Sequence, residues 1–248
     1  MTPLDAAAVF GAGIAAGAIN AVVGSGSLIT FPTLLAVGIP PVVANVSNNI
    51  GLVPGGVTGA LGYRAELQGQ RHRLLRLGSA SVLGSVTGGL LLLWLPEQAF
   101  QVIVTVLIVI ACVLVLLQPK LGGWLTGRRG HPSGGLWLWV GVLAAGVYGG
   151  YFGAAQGIVL IGLLGIFLDD HLQRINAAKN VLSLAVNSTA AVLFIAVAHV
   201  DWLVVVMVAV GSAAGGFFGA RVGRRLPPVV LRVFIVCVGV AAIVKLLA

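Results

Sequence analysis

The sequence predicts an all-α, polytopic membrane protein made of two inverted-topology repeats, each with a broken first helix folded into a hairpin plus three spanning helices. Three observations predict it. Of 248 residues, 59% are hydrophobic and 8% charged, whereas soluble domains carry about 25% charge. Apolar runs of the length that crosses about 30 Å of hydrocarbon recur along the chain. A pattern of glycines and asparagines in the first half returns in the second.

The net charge of +8 does not indicate a nucleic-acid partner. The basic residues occupy short loops between apolar runs, and no basic helix interleaved with aromatics occurs. That distribution matches the positive-inside rule. Cys112 and Cys237 each lie deep in an apolar run and read as small hydrophobes. Residues 1–5 contain no Lys or Arg, so the first apolar stretch is expected to be retained rather than cleaved as a signal peptide.

Taken in order, residues 6–23 form the first apolar run. The break Gly24-Ser25-Gly26-Ser27 interrupts it, 28–37 continue it, and Gly38-Ile39-Pro40-Pro41 stop it. Residues 42–63 carry Asn45, Asn48, Asn49 and Pro54, whose missing N–H kinks a helix. A basic loop, 64–76, precedes runs at 77–95 and 100–117. The stretch 119–134, with Lys120, Arg128, Arg129 and His131, is expected as a cytoplasmic connector between a first repeat, 1–118, and a second, 135–248. In the second repeat, 136–152 lead to the break Gly153-Ala154-Ala155-Gln156-Gly157 and 158–168 follow it. Asp169-Asp170-His171 turn the chain, and 173–198 carry Asn176, Lys179, Asn180 and Asn187. Runs at 202–220 and 229–247 flank a basic turn at 221–228.

The halves align residue by residue. Gly17 matches Gly146, Gly24 matches Gly153, Asn45 matches Asn176 and Asn49 matches Asn180. Gly84-Ser85 and Gly88-Gly89 match Gly211-Ser212 and Gly215-Gly216. Loop charge sets the orientation. The basic loops at 64–76, 120–131 and 221–225 all fall inside only if each break folds its segment back as a hairpin. Residues 5–38 as one helix would measure about 50 Å, against about 30 Å of hydrocarbon. The repeats are therefore expected to be inverted, with both termini outside the cytoplasm.

Two polar breaks at matching places mark a transporter binding site. The first N–H groups of a helix starting at a break have no intrahelical partner and lie at the positive end of its dipole, so they suit an anion. The candidate substrate-binding residues are Gly24, Ser25, Gly26, Ser27, Asn45, Asn49, Gly153, Gln156, Gly157, Asn176, Lys179 and Asn180. Helix packing is the competing use of Gly and Ser, and interhelical hydrogen bonding that of Asn. Lys179 either supplies positive charge to the site or snorkels to the surface near Asp170 and Arg174. Tyr148, Tyr151 and Phe152 precede the second break, where they pack or gate. His72, His131, His171 and His199 lie in loops without metal spacing. No metal, cofactor or catalytic group is expected, which sets aside an intramembrane enzyme. The absence of Asp and Glu from the runs sets aside a cation carrier.

The run from Gly24-Ser25-Gly26-Ser27 to Phe31-Pro32, then Gly38 to Asn45, Pro54-Gly55 and Gly59 to Arg64, resembles the sulfite exporter TauE/SafE family. Tyr148 to Gly157 and Asn176 to Asn180 are similar to that family's second copy of the motif. The first break is Gly-Ser-Gly-Ser where a run of glycines is more usual. The resemblance implies transport of sulfite, small sulfonates or other small organic anions. The expected protein is thus an inner-membrane exporter of a small oxyanion, working by alternating access; a structural or assembly role, or uptake of another anion, is the alternative. Its partners would be the anion and the bilayer, and it could form an oligomer.

Overall fold

The computed structural model describes residues 1–125 and 135–222, together with 237 and 240. Residues 126–134 of the expected connector, 223–228 of the basic turn, and the final span apart from 237 and 240 lie outside the described residues. Among the described residues there are nine helices and no strand. Thr2 and Asp5 cap the first helix reciprocally, with bonds of 3.2 and 2.7 Å. That helix, α1, is Pro3–Val22, and α2, Ser27–Ala36, follows the first break. Proline opens α3, Pro41–Gly62, as its first helical residue. Then come α4 (Arg71–Trp94), α5 (Glu97–Leu125), α6 (Gly135–Tyr151), α7 (Gln156–Phe167), α8 (Leu172–Val197) and α9 (Trp202–Val222).

Two boundaries differ from the sequence reading. The basic residues Arg71, His72 and Arg73 stand in the first turn of α4 rather than in a loop. Helix α5 runs on to Leu125, into the stretch expected as connector. In both places hydropathy ends before the backbone hydrogen bonding does, because polar residues extend a helix into the interface.

Among the described residues, α1, α4, the Glu97–Leu117 part of α5, α8 and the Trp202–Arg221 part of α9 are long and apolar enough to cross a membrane. At 10 and 12 residues, α2 and α7 reach only about 15–18 Å, half of the hydrocarbon. Large apolar side chains such as Val102, Val192 and Phe218 are exposed, while the polar Asn45, Asn48, Gln156 and Lys179 are buried among an apolar core. Trp94, Trp137 and Trp202 stand exposed at helix ends, where indoles anchor to headgroups.

Lipid tails are as apolar as leucine, so helices here associate through close packing and interhelical hydrogen bonds. Four glycine pairs, each spaced i, i+4, supply the close packing. Gly13 and Gly17 of α1 meet Gly211 and Gly215 of α9; Gly146 and Gly150 of α6 meet Gly84 and Gly88 of α4. A Cβ added at Gly17 would lie 2.2 Å from the Ser212 carbonyl oxygen, and one at Gly88 2.0 Å from that of Val147. The Ser212 hydroxyl donates to Gly51 O at 2.8 Å and that of Ser85 to Val186 O at 2.7 Å, tying α9 to α3 and α4 to α8.

Two bundles result: α1, α2, α3 and α9 form one, and α4, α6, α7 and α8 the other. Each takes three helices from one end of the chain and exchanges one with the other. Register fixes direction. Gly211 lies at Phe10, Gly215 at Ile14 and Gly219 at Ala18, so α1 and α9 run parallel; Gly51, Gly55 and Gly62 meet Val208, Ser212 and Ala220, so α3 does too. In the second bundle Gly84 and Gly88 meet Leu143 and Val147, and Ser85 and Gly89 meet Val186 and Leu193, so α4, α6 and α8 are parallel. Between the bundles, Gly56 faces Leu184 while Tyr63 packs with Ala177, so α3 and α8 are antiparallel.

At one end of the molecule, Asp170 bridges Arg73 and Arg174, both at 2.8 Å. Arg174 also donates to Gln68 O, and the Gln70 amide donates to Arg174 O, which fastens the α3–α4 loop to the α7–α8 turn. Burial alone would raise the Asp170 carboxyl, but the Arg73 hydrogen bond and the charges of Arg174 and Arg73 outweigh it and hold the carboxyl below the usual carboxylate range. A depressed carboxylate contributes stability above its unfolded pKa of about 3.9 and loses it as pH falls through the lower folded value.

Two outcomes are expected. Gly88→Ala lowers the thermal midpoint in detergent, at a cost of about 1–3 kcal/mol, while Gly78→Ala, with open space around it, does not lower it. Hydrogen exchange in 64–70, corrected for intrinsic rate, stays flat from neutral pH to about pH 4 and rises below, and Asp170→Asn raises it already at neutral pH.

Candidate functional site

Both breaks depend on left-handed backbone. Gly24 has φ of +84° and Gly153 of +77°. Ala155, the N-cap of α7, holds φ of +59°, which costs an L-residue about 1–2 kcal/mol. At the first break the chain doubles back, bringing Gly26 beside the Ala16 carbonyl; an added Cβ there would sit 2.4 Å from its oxygen.

The two breaks touch. The Gly157 N–H donates to Gly24 O at 3.0 Å, and a Cβ on either glycine would stand 2.4 Å from the other's Cα. This contact changes the donor inventory that the sequence suggests. At the start of α7 the amides of Gln156, Gly157, Ile158 and Val159 are all taken, by Gly153, Gly24 and Ala155 carbonyls. At the first break the amides of Ser25, Gly26 and Ser27 donate to no other backbone group. Helix-start donors are therefore left over on the α2 side.

A cavity lies beside the contact. Gly24, Ser27, Asn49, Gly153, Gln156 and Gly157, all expected from the sequence, line it. Asn20 of α1, Asn48 and Leu52 of α3, Phe152 at the second break, and Ser183 and Asn187 of α8 complete the wall. Apart from Leu52 and Phe152 the lining is amide, hydroxyl and backbone, with no carboxylate. Asn49 Oδ1, Gln156 Nε2 and Ser183 Oγ are buried without a partner, and each such atom costs about 1–3 kcal/mol. The cavity has room for about one water. An oxyanion of three or four oxygens is larger, so its walls must part for one to enter.

The other expected residues stand around the cavity rather than in its wall. Ser25 is buried at the first break with its hydroxyl unpartnered, and Gly26 packs on Ala16. Asn45 Nδ2 donates to Tyr151 O, near the cut end of α6, at 2.9 Å. Asn176 and Asn180 donate to Ala21 O at 3.3 and 3.1 Å. Lys179, fully buried, donates through Nζ to Asn20 O at 2.8 Å and Ala21 O at 3.4 Å. These are carbonyls of the last turn of α1, which lack intrahelical partners and form the negative end of its dipole. Lys179 thus neither snorkels nor touches the cavity. Asn48 donates to Ser27 Oγ at 3.3 Å and accepts from Thr30, joining α3 to α2. Tyr148 donates to Ala154 O, and Phe152 meets Phe31 of α2 edge-on at 5.1 Å.

Asn20, Ser183 and Asn187 escaped selection as site residues, yet the spacing held the signal. Asn20 precedes Gly24 by one turn, and Asn176, Asn180, Ser183 and Asn187 follow the 4-3-4 spacing of one helix face.

The family described as Sulfite exporter TauE/SafE matches residues 9–246. The chain belongs to the TauE/SafE family. Among its relatives is Probable membrane transporter protein YfcA of Escherichia coli strain K12, 28% identical over 234 residues, covering 91% of this chain and 82% of the relative. A Probable membrane transporter protein of Haemophilus influenzae is 28% identical over 218 residues, with 87% and 84% covered. Probable membrane transporter protein ORF9 of Sinorhizobium sp is 25% identical over 247 residues, with 97% and 91% covered. No solved structure matches. As a TauE/SafE protein the chain is a multi-pass membrane transporter, and family and relatives alike are described as transporters rather than enzymes.

Gly157→Ala is expected to separate the breaks, because the Cβ meets Gly24 Cα and the Lys179 stem. The check is transport in proteoliposomes beside helix content by circular dichroism: flux is lost and helicity kept.

Proposed function

We propose that this TauE/SafE protein exports a small oxyanion, sulfite or a small organosulfonate, across the bacterial inner membrane by alternating access around the cavity between the breaks. The observation that carries this reading is the contact of Gly24 with Gly157 beside a carboxylate-free wall of amides and hydroxyls. In the proposed complex the free amides of Ser25, Gly26 and Ser27 and the side chains of Asn49, Gln156 and Ser183 donate to the anion once the walls part. Lys179 adds positive potential without direct contact. Export needs no coupling ion, since an inside-negative potential favours anion exit by about 2.3 kcal/mol per charge per 100 mV.

The same reading treats 1–118 and 135–248 as inverted copies, with both termini outside. The helix directions support it: α1, α3 and α9 run one way and α4, α6 and α8 the other, so α1 opposes α6, α3 opposes α8 and α4 opposes α9. The end holding Arg64, Arg71, Arg73, Arg76 and Arg174 would face the cytoplasm.

Labelled sulfite and sulfonates should leave proteoliposomes faster when the potential drives anions outward. Asn49→Ala and Gln156→Ala should each raise the half-saturating concentration about ten-fold or more, as loss of a hydrogen bond to a charged group implies. No flux of any of these anions would overturn the substrate assignment.

A further inference from the structure

Resting on the alternating-access reading, the geometry points to two polar latches that close the site, one on each side of it: Asn45 on one, and Asn176, Lys179 and Asn180 on the other. The reason is where their hydrogen bonds go. Ser212, Ser85, Thr58 and Trp139 bond inside their own bundle. These four reach across. Asn45 of α3 holds the cut end of α6, and Asn176, Lys179 and Asn180 of α8 hold the cut end of α1.

Their positions bracket the cavity. Along α3, Asn45 precedes the lining residue Asn49 by one turn; along α8, Asn180 precedes the lining residue Ser183 by just under a turn. Because α3 and α8 are antiparallel, those two approaches come from opposite ends. Each latch therefore bridges the bundles on one side of the cavity only. A rocking motion that opens a side must break that side's bonds and can leave the other side's intact.

The latches are unequal. A single neutral amide closes the Asn45 side. Three donor groups, two amides and the Lys179 amino group, close the other side on the unpaired carbonyls of a helix end, with four bonds against one. The resting protein therefore opens first at the Asn45 side, which is the outer side in the proposed topology. Asn45, Asn176, Lys179 and Asn180 act as positioning residues: they set which face is open rather than hold the anion.

The test is sided labelling of a reporter, Leu52→Cys in the cavity wall, in a chain with Cys112→Ala and Cys237→Ala. A membrane-impermeant maleimide is applied from one face of oriented proteoliposomes at a time. Asn45→Ala is expected to raise labelling from the outer face about ten-fold, the effect of about 1.4 kcal/mol. Lys179→Met should raise it from the inner face by a similar factor, and Lys179→Arg, which keeps a charged donor, should restore the original bias. Circular dichroism and monodisperse elution confirm folding, and Asn180→Ala gives a milder inner-face probe if Lys179→Met fails to fold. Equal rises at both faces, or unchanged labelling in folded variants, would overturn the latches. The labelling uses no anion, so failure of the substrate assignment would show separately, as absent flux with sided labelling intact.

Discussion

The rest of this structure follows from two helix breaks buried among its helices. Each cut leaves carbonyls at one helix end and amides at the next helix start, and no water is there to satisfy them. The chain answers with its own polar groups. Gly157 gives its amide to Gly24, Asn45 caps α6, and Asn176, Lys179 and Asn180 cap α1. Every one of these bonds comes from the opposite bundle. What repairs the cut also ties the two bundles together at the cavity.

The exchange of helices follows from the same arrangement. The helix before each break packs along its length against a neighbour, and glycine seams let that neighbour lie close. α9 shields α1, and α4 shields α6, at backbone distances only glycine permits. The neighbour comes from the other end of the chain in each case. Dense internal seams hold each bundle together. The contact between the bundles includes α3 against α8, the touching breaks, the side-chain caps, and α5, which lies against both α7 and α3.

Much of this was legible in the sequence. The breaks at Gly24 and Gly153, the proline stop before α3 and the all-helical fold were read from composition and punctuation alone. The polar lining of the cavity was legible too, since asparagines recur at helical spacing beside both breaks. Three things were not. Which way Asn176 and Lys179 turn depends on where the end of α1 lies, and no local signal encodes that. The contact of Gly157 with Gly24, with local bonds to the Gly153 and Ala155 carbonyls, removes the α7 amides from use, although isolated helix chemistry would offer them to an anion. The pairing of α1 with α9 rather than α4 rests on shape complementarity between two glycine pairs among four that look alike in sequence.

The most direct measurement is an experimental structure determined with a transported oxyanion present. The account predicts density for the anion between the breaks, with Ser27, Asn49, Gln156 and Ser183 around it and one of the two sets of caps parted. An anion bound elsewhere, or breaks that stand apart in lipid with no cavity between them, would contradict it.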